Sequence, residues 1–462
     1  MTDEIKIYNT KGRKLETFVP IHPGAVSIYS CGPTVYHYQH IGNMRAAVFA
    51  DTLHRLFQSA GYSVKHVINI TDVGHLTSDG DTGEDKLEKG AKREGKSVWE
   101  VAKFYTDAYF KDLSALNIRL DDYLFPRATE HIKEQIDLVE TLMEKGYAYE
   151  IGDGIYFDTS KFAAYPDLAH LDIEGLKSGA RVEENTEKRN ATDFALWKFS
   201  PKDETRQMEW DSPWGKGFPG WHVECSAMAM KYLGNHFDIH TGGIDHIPVH
   251  HTNEIAQSEC ATGETYVNYW MHNNFLNDAQ GKMAKSSGEF LRLQSIIDRG
   301  VSPLAFRYYL LTVHYRKEID FSFEALESAA VAYDKLVSFC KENATKGGVA
   351  IRSYLNAFTE ALHDDIGTPQ AIAIIWNMMK DIDASKEDKY ATLMAFDTVL
   401  GLGLSSIKKE EIVLSDAMKE LLRAREVARQ EKDFAESDRL RDEMARLGFT
   451  VKDTPDGQVV SK

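Results

Sequence analysis

The amino-acid sequence predicts an α/β protein built on a doubly wound parallel sheet. Two stretches of the chain alternate strand and helix patterns, and such βαβ units form parallel sheets. The segment between these stretches predicts an insertion into the sheet. From Val301 onwards helical patterns dominate, so we expect a helical domain and then a small C-terminal domain.

The first stretch contains one complete strand–helix–strand unit. Residues 26–29 have a strand pattern and run into Cys31. Apolar residues then recur at helical spacing from 42 to 60, and residues 64–70 are rich in β-branched side chains, as strands are. This order predicts two neighbouring parallel strands joined by a helix.

The second stretch repeats the alternation. Residues 224–233 and 251–260 have helical patterns, while residues 237–240 and 266–275 have strand patterns. Together the two stretches predict one Rossmann-type domain. The intervening residues, 123–204, form the predicted insertion.

Helical patterns account for most of the remaining chain. One amphipathic helix is predicted within the insertion at 132–145, and three long helices are predicted at 325–342, 353–365 and 370–382. Residues 414–462 are highly charged and predict a helix or helix pair that ends in a short strand. The C-terminal half is therefore expected to be mainly helical.

Composition and charge limit the class of protein. A net charge of −17 argues against unselective binding of nucleic acid, which requires clustered Lys and Arg. The four cysteines are far apart and include no CxxC pair, which favours reduced thiols over a disulfide framework. Without a signal-like or membrane-spanning apolar run, we expect a cytoplasmic protein with no membrane partner. The lack of a sustained heptad seam favours a monomer.

The first motif of chemical interest lies between the first predicted strand and its helix. It reads Gln39-His40-Ile41-Gly42-Asn43. A helix N-terminus presents unpaired N–H groups and a positive dipole, which suits phosphate. Gly42 would let a flat base approach the backbone, and His40 and Asn43 can donate hydrogen bonds to phosphate oxygens. An ordinary helix start with a surface histidine is the alternative interpretation.

The second motif is a glycine-bounded segment at 281–288, with the sequence GKMAKSSG. Its two lysines, Lys282 and Lys285, are cations that could neutralise a triphosphate as charge develops on it. The alternative is a solvated surface loop, because most loop lysines have no further role.

The third set of residues has the donor types of a metal site. Cys31 ends the first strand, Cys225 lies in the first helix of the second stretch, and His250 and Glu254 are one helical turn apart. Two thiolates, an imidazole and a carboxylate form a plausible zinc-binding set. The spacing does not choose between His250 and His251, and two buried cysteines beside a polar helix start remain an alternative.

These motifs belong to a larger set of segments that resembles the cysteinyl-tRNA synthetase family over essentially the whole chain. The first two motifs, in this order, resemble the two-part signature of class I aminoacyl-tRNA synthetases. Further similar segments are CGPTVY (31–36), NITD (69–72), PRATEHI (126–132), DFALWK (193–198), GWHVECSAM (220–228), HHTNEIAQSE (250–259), HYRKEIDFS (314–322) and DFAESDRLRDE (433–443).

The resemblance implies a reaction and a set of site residues. The expected enzyme joins L-cysteine to ATP, forming cysteinyl-adenylate and pyrophosphate, and then transfers cysteine to the 3′ end of tRNA(Cys). One zinc ion per chain would be held by Cys31, Cys225, His250 and Glu254. ATP, with Mg²⁺, would be bound by His40, Gly42, Asn43, Asp245, Lys282 and Lys285, of which His40, Asn43, Lys282 and Lys285 would be catalytic. Thr71 and Trp221 would contact the amino acid.

The resemblance also implies a function for each segment. We expect the two halves of the catalytic domain at 1–122 and 205–265, a connective insertion at 123–204, a stem-contact region with the KMAKS loop at 266–315, a helical tRNA-binding domain at 316–405 and a small anticodon-binding domain at 410–462.

Zinc would explain the choice of substrate. A thiolate is a strong zinc ligand, whereas the serine hydroxyl does not ionise near neutral pH and binds the metal poorly. Pocket shape alone discriminates weakly between such similar molecules. Two alternatives remain: a cysteine:sugar-amine ligase of the mycothiol type, and a non-catalytic RNA-binding paralogue. The DFAESDRLRDE tail favours tRNA over the sugar amine.

Several positions depart from the family pattern. Ala284 replaces a common Ser, His37 replaces a common Asp, and Val73-Gly74-His75 replaces an Asp-Asp-Lys run. The chain end lacks the Trp that the family often carries. RNA contacts are therefore expected from arginines of the tail, the candidates being Arg423, Arg425, Arg429, Arg439, Arg441 and Arg446. Solvent-exposed ion pairs are the alternative for each of them.

Overall fold

The computed structural model describes residues 4–74, 85–171, 186–201, 206–278, 281–282, 290–344, 347–408, 415–454 and 457–461. Within these ranges, no helix combines the length and the apolar character that crossing a bilayer requires. The chain divides into two compact units. The larger unit comprises Met1–Val337 with Thr345–Ser406, and the smaller comprises Ser338–Ala344 with Ile407–Lys462.

The strands are β1 (Lys6–Asn9), β2 (Lys14–Thr17), β3 (Ala25–Ser30), β4 (Ser63–Ile68), β5 (Tyr123–Leu124), β6 (Ala148–Ile151), β7 (Gly154–Phe157), β8 (Phe194–Phe199), β9 (Gly217–Pro219), β10 (Phe237–Gly243), β11 (Val267–Asn273), β12 (Leu276–Asp278), β13 (Gly281–Lys282), β14 (Ile319–Asp320), β15 (Thr450–Thr454) and β16 (Gly457–Ser461). The α-helices are α1 (Ile41–Ser59), α2 (Lys86–Glu94), α3 (Val98–Ala115), α4 (Ile132–Glu144), α5 (Trp221–Leu233), α6 (Thr252–Thr262), α7 (Leu293–Ile297), α8 (Pro303–Leu311), α9 (Phe323–Asn343), α10 (Arg352–His363), α11 (Thr368–Lys380), α12 (Lys386–Leu400), α13 (Asp416–Gln430) and α14 (Phe434–Arg446).

The central sheet of the larger unit has five parallel strands in the order β11-β10-β3-β4-β5. The chain runs outwards from β3 through β4 to β5, and later from β10 to β11 on the opposite side. The carboxyl ends of β3 and β10 are therefore neighbours at the point where the strand order reverses, which is where doubly wound sheets bind ligands. The predicted doubly wound, Rossmann-type sheet is confirmed.

The strands of this parallel sheet are covered on both faces, because the crossover connections between parallel strands place helices there. Ile28 and Tyr29 of β3, Val67 of β4, and Ile239 and Trp270 of β10 and β11 are all fully buried. Strands of this kind carry continuous apolar runs, which require a helix or loop above and below the sheet. Helix α1 follows β3 and buries an apolar stripe that includes Val48, Leu53 and Phe57.

The insertion contains more regular structure than the sequence pattern predicted. Besides helix α4, it carries β6 and β7, which pair with β8 and β9 as an antiparallel sheet of four strands. All four residues of β7 and five of the six in β8 are buried. The alternation of polar and apolar residues that reveals a half-exposed strand is therefore missing.

Helices α9 to α11 follow the sheet domain, as the helical patterns predicted, and α12 follows them. Helix α12 was not predicted, because its first turn is charged and its buried residues, such as Leu393 and Phe396, lie in its second half. The smaller unit contains α13, α14 and the β15–β16 hairpin. Its core is formed by Met418, Leu440, Met444 and Val451.

Candidate active site and metal centre

A cavity of about 480 Å³ opens at the carboxyl ends of β3 and β10. Its wall is formed by residues from both halves of the sheet domain and from the helices that follow the strands. The predicted site residues that line it are Cys31, His40, Gly42, Asn43, Thr71, Trp221, Cys225, Asp245 and His250. The fold thus gathers residues that are up to about 220 positions apart in the chain, as expected at the reversal point of such a sheet.

Four predicted metal ligands converge at the bottom of this cavity, and we call Cys31, Cys225, His250 and Glu254 the donor cluster. One donor atom from each lies within 4.8 Å of all the others. His250 Nε2 is 3.4 Å from Cys225 Sγ and 3.1 Å from Glu254 Oε1. A π-helical turn, Ile247–His251, precedes α6 and carries His250, so the ring lies above Glu254 across one turn.

A second set of donors shares two members with the donor cluster. His251 Nε2 lies 3.3 Å from Cys31 Sγ, and His240 Nε2 lies 3.0 Å from Glu254 Oε2. Cys31, His240, His251 and Glu254 also satisfy the distance limit for a metal site. His250 lines the cavity and His251 does not, which favours His250 as the ligand that meets a substrate.

Three further histidines, His222, His240 and His272, lie next to the donor cluster or His251 and were not predicted as site residues. His251 Nδ1 is 2.8 Å from His272 Nε2, and His272 Nδ1 is 2.7 Å from Thr10 Oγ1. On the other side, the Nδ1 atoms of His222 and His250 are 2.9 Å apart. The signal available in the sequence was a histidine near the end of each of two predicted strands, His240 in 237–240 and His272 in 266–275. Such contacts orient metal-binding rings through their second nitrogen.

The electrostatics of the donor cluster favour a bound cation. Burial would raise the pKa of Glu254, but the charges of His240 and His250 bring it down to about 2. Burial likewise opposes the charge on His250, yet Cys225 and Glu254 raise the pKa of that ring to about 10. A positive charge therefore lies between a thiol and a carboxylate even without a metal.

The two thiols differ in their tendency to ionise. A hydrogen bond from Cys31, assisted by the charge of His250, lowers the pKa of Cys225 to about 6. Burial, and then the adjacent Cys225, raises the pKa of Cys31 well above its ordinary range. Two sulfurs, an imidazole and a carboxylate form a donor set that zinc accepts. The residues present therefore fit a zinc ion.

The first motif forms the other side of the cavity. His40 is the N-cap of α1, and its Nδ1 accepts a hydrogen bond of 3.1 Å from the Asn43 backbone N–H. The Asn43 side-chain oxygen in turn accepts a hydrogen bond of 3.2 Å from the His40 N–H. A side chain at Gly42 would bring its Cβ within 2.9 Å of His40 Nδ1. This local geometry holds His40 and Asn43 at the helix N-terminus.

Thr71 and Trp221 lie near the donor cluster. Thr71 is buried, and its hydroxyl accepts a hydrogen bond of 2.9 Å from the Asn69 side chain. The Asn69 oxygen accepts a second bond from the backbone N–H of Gly32, next to Cys31. Trp221 begins α5, and its ring centroid is 4.4 Å from that of His250.

Asp245 follows β10 in a single helical turn, Ile244–His246. A Cβ on Gly242 would come within 2.7 Å of the rings of His246 and His251. The glycine at the end of β10 therefore permits the close packing of these histidines beneath the cavity.

The lysines of the second motif are described only in part. The backbone of Lys282 lies in β13 and pairs with Asn277 of β12. Its side chain, and all of Ala284 and Lys285, lie outside the described residues, as does His75. Strand β12 follows directly on the segment Asn273 to Phe275, which lines the cavity.

The tail arginines differ in their surroundings. Arg425 is buried and donates two hydrogen bonds of 2.9 Å to the Asp453 carboxylate, so it belongs to the core of the smaller unit. Arg429 also contacts Asp453, Arg439 contacts Glu436 and Glu443, and Arg441 contacts Asp438. Among the residues that the structure describes, Arg423 and Arg446 form no ion pair, so the prediction that tail arginines contact RNA remains open for these two.

Comparison with known families agrees with this arrangement. The family model for the class I (C) tRNA synthetase catalytic domain matches residues 17–331. The DALR domain model matches residues 357–404, and the model for the cysteinyl-tRNA ligase anticodon-binding domain matches residues 413–460. These matches cover most of the chain in the expected order.

Curated relatives are similar over nearly their full length. A "Cysteine--tRNA ligase 1" from Burkholderia lata is 49% identical over 98% of this chain and 96% of its own. A "Cysteine--tRNA ligase" from Treponema denticola is 44% identical over 97% of this chain and 98% of its own. They favour neither the sugar-amine ligase nor the non-catalytic paralogue.

Solved structures support the fold. Methionyl-tRNA synthetase from Mycobacterium tuberculosis, bound to methionyl-adenylate, aligns with a TM-score of 0.57 at 15% identity, over 83% of this chain and 93% of its own. The Agrobacterium radiobacter LeuRS in a ternary complex with tRNA aligns with a TM-score of 0.59 at 12% identity, over 84% and 85%. With the family models and the curated relatives, these findings show that the chain belongs to the cysteine–tRNA ligase family of class I tRNA synthetases.

Proposed function

We propose that the chain activates L-cysteine with ATP and transfers it to tRNA(Cys), with zinc as the ligand of the substrate thiolate. The observation that carries this proposal is the meeting of two features in one cavity. The donor cluster lies at the bottom, and the phosphate-type N-terminus of α1 forms the wall. Because both features line one cavity, a cysteine held there by its thiol would share that cavity with the phosphates of ATP.

The donor cluster would hold the metal through Cys31 Sγ, Cys225 Sγ, His250 Nε2 and one oxygen of Glu254. When bound, zinc supplies a coordination position that favours a thiolate over a hydroxyl. His222 and His240 would orient His250 and Glu254 through the contacts described above. Trp221, packed on His250, would close one side of the amino-acid pocket, and Thr71, which follows β4, would contribute to its wall.

The first chemical step needs no protein nucleophile. A carboxylate oxygen of cysteine attacks the α-phosphorus of ATP, and pyrophosphate leaves. His40, Asn43 and the positive end of the α1 dipole would stabilise the phosphate charge, and Lys282 and Lys285 would neutralise the leaving pyrophosphate. Gly42 and Asp245 would contact the adenosine, and Mg²⁺ would accompany the phosphates.

The second step transfers the amino acid to RNA. A hydroxyl of the terminal ribose attacks the carbonyl carbon of the adenylate, and AMP leaves. Positioning rather than covalent catalysis would account for most of the rate enhancement. We propose that residues 266–315 approach the acceptor stem, that residues 316–405 bind tRNA, and that residues 410–462 approach the anticodon. We further propose a cytoplasmic monomer.

The test is the charging of bulk tRNA with labelled cysteine and, in parallel, with labelled serine. We expect the unaltered chain to charge cysteine only. Cys225→Ser is expected to abolish charging, whereas Cys260→Ser, a matched change at another buried cysteine of the sheet domain, is expected to retain it. Pyrophosphate exchange without charging would instead favour the sugar-amine ligase. RNA binding without exchange would favour a non-catalytic paralogue.

A further inference from the structure

Arg45 lies on the first turns of α1, immediately after the His40–Asn43 motif, and its side chain is buried. Its guanidinium donates hydrogen bonds to four backbone carbonyl oxygens, which belong to Phe275, His314, Tyr315 and Lys317. The bonds to His314 and Tyr315 are 3.3 Å long. One side chain of the signature helix therefore joins two segments that are remote from it in sequence.

Both segments support the small sheet that carries Lys282. Phe275 precedes β12, and Lys317 precedes β14. Strand β12 pairs in parallel with β14, through Leu276 and Ile319, and antiparallel with β13, through Asn277 and Lys282. The carbonyl of Phe275 also accepts a hydrogen bond of 3.0 Å from the Ile319 N–H. Arg45 thus contacts the backbone just before two of the three strands of this sheet, β12 and β14.

The chemistry of the contact is unusual for a buried arginine. All four acceptors described for Arg45 are neutral carbonyls. Burial lowers the pKa of Arg45 to about 10, because nearby Tyr309 and Glu318 offset the loss of solvation only in part. A guanidinium presents several N–H groups in one rigid plane, whereas an ammonium is a point charge. Lysine could keep the charge at this position but not the arrangement of the four bonds.

We propose that Arg45 is a positioning residue that sets the distance between the phosphate-binding start of α1 and the strand that carries Lys282. The inference rests on the proposed function, because that function assigns the start of α1 and the Lys282 strand to opposite sides of one triphosphate. Arg45 itself contacts no substrate. Its effect is exerted through His40 and Asn43 on one side and Lys282 on the other.

Arg55 provides a matched control on the same helix. It is also buried, and it donates to the carbonyls of Asn117 and Thr398 as well as to Asp51. Its partners do not include β12, β13 or β14. Arg45→Lys and Arg55→Lys each replace a buried guanidinium on α1 that bonds to backbone carbonyls, and only the first should disturb the Lys282 strand.

The experiment compares the two variants with the unaltered holoenzyme in cysteine-dependent pyrophosphate exchange. For Arg45→Lys we expect kcat to fall by roughly 100-fold, the loss typical of a misplaced reacting group. The KM for cysteine and the metal content should stay within about twofold of the unaltered values, since the donor cluster is untouched. Equal losses of kcat in the two variants, or an unchanged kcat in Arg45→Lys, would overturn the proposal.

A second readout does not depend on activity. In Arg45→Lys we expect faster hydrogen exchange at the amides of Phe321 and Ile319, which donate to Asn277 and Phe275, and no such change in Arg55→Lys. Unchanged exchange at these amides would contradict the inference even if the chain proved inactive. An unaltered chain without pyrophosphate exchange would count against the proposed function alone.

Discussion

Two buried polar clusters in the larger unit have different designs. In the Asp51 cluster, which comprises Asp51, Arg55, Arg307 and Tyr123, one carboxylate accepts hydrogen bonds from both guanidiniums and from the phenol. The remaining arginine N–H groups reach backbone carbonyls such as those of Leu400 and Leu116. Each of the three charges thus has a hydrogen-bonded partner within the chain, although one carboxylate faces two guanidiniums. Burial would raise the pKa of Asp51, but the two arginines lower it.

The donor cluster is also largely buried, but Cys31 is only half-buried and three of its four members line the cavity. One donor atom from each of its four residues lies within 4.8 Å of the others, and the adjacent positive charges belong to imidazole rings rather than to an arginine or a lysine. The comparison teaches how to recognise function in a buried polar cluster. Opposite charges that pair within the chain indicate stability, whereas several metal-binding donor atoms that converge at the wall of a cavity indicate a ligand.

The largest effect is expected from breaking the donor cluster. Cys225→Ser should lower zinc affinity by more than about 100-fold, since the loss of a direct ligand should exceed the effect of losing an outer partner. Competition with a chromophoric chelator measures this affinity. The free energy of unfolding of the metal-free chain should change far less than metal affinity. A zinc affinity equal to that of the unaltered chain would remove Cys225 from the set.

Breaking the Asp51 cluster should have the opposite pattern. Asp51→Asn leaves Arg55 and Arg307 buried without a counter-charge, which typically costs about 3–5 kcal/mol of stability. Urea unfolding measures the loss. The kcat per folded molecule and the zinc content should remain unchanged, because no residue of this cluster lines the cavity. A selective loss of kcat with unchanged stability would contradict the distinction between the two clusters.

A pair of buried histidines near the Asp51 cluster should make the stability of the larger unit depend on pH. The rings of His54 and His66 are stacked 5.5 Å apart near Tyr123. Burial lowers the pKa of both, and that of His66 lies well below 6.5. The folded chain therefore holds them neutral, while the unfolded chain takes up protons below pH 6.5. Stability is fully present above this pH and falls as the pH decreases towards the folded-state pKa values.

Replacing one histidine should reduce this acid dependence. Each proton taken up on unfolding adds about 1.4 kcal/mol per pH unit to the slope, so His54→Leu should flatten the stability curve between pH 6.5 and pH 5. Urea unfolding at several pH values gives both slopes. An identical slope in the variant and the unaltered chain would show that His54 does not titrate on unfolding.

The smallest effects are expected in the smaller unit. Arg425→Ala removes a buried guanidinium that is bonded to Asp453 and Gln458. The expected loss is about 1–2 kcal/mol, since Asp453 remains partly exposed and solvent screens the pair. Arg439→Ala, which removes solvated pairs with Glu436 and Glu443, should leave the Tm within experimental error. A larger loss for Arg439 than for Arg425 would reverse this ranking.

The sequence predicted the central sheet because βαβ patterns and the reversal of strand order follow from short-range periodicity. It also identified the donor types of the metal site. It did not reveal the β6–β9 sheet, whose buried strands lack alternation, or the contacts of His240 and His272. Those contacts depend on the register of β10 against β11 and on where α6 packs beside them. Residue spacing within one segment encodes neither.

Arg45 and Arg425 illustrate the same limit. Both are charged residues on helices, and the sequence pattern assigns such residues to solvent or to RNA. Their burial follows from which backbone segments cross the helix, and that is a property of tertiary packing. The expectation that Arg425 contacts RNA therefore could not be separated from a structural role by sequence alone.

The central claim is that the donor cluster binds a metal that recognises the substrate thiolate. The most direct test is the absorption spectrum of the chain reconstituted with cobalt in place of zinc. We predict that adding cysteine increases the sulfur-to-cobalt charge-transfer absorption and that serine leaves it unchanged, with no response in Cys225→Ser. An identical response to cysteine and serine, or none to either in a fully loaded chain, would contradict the account.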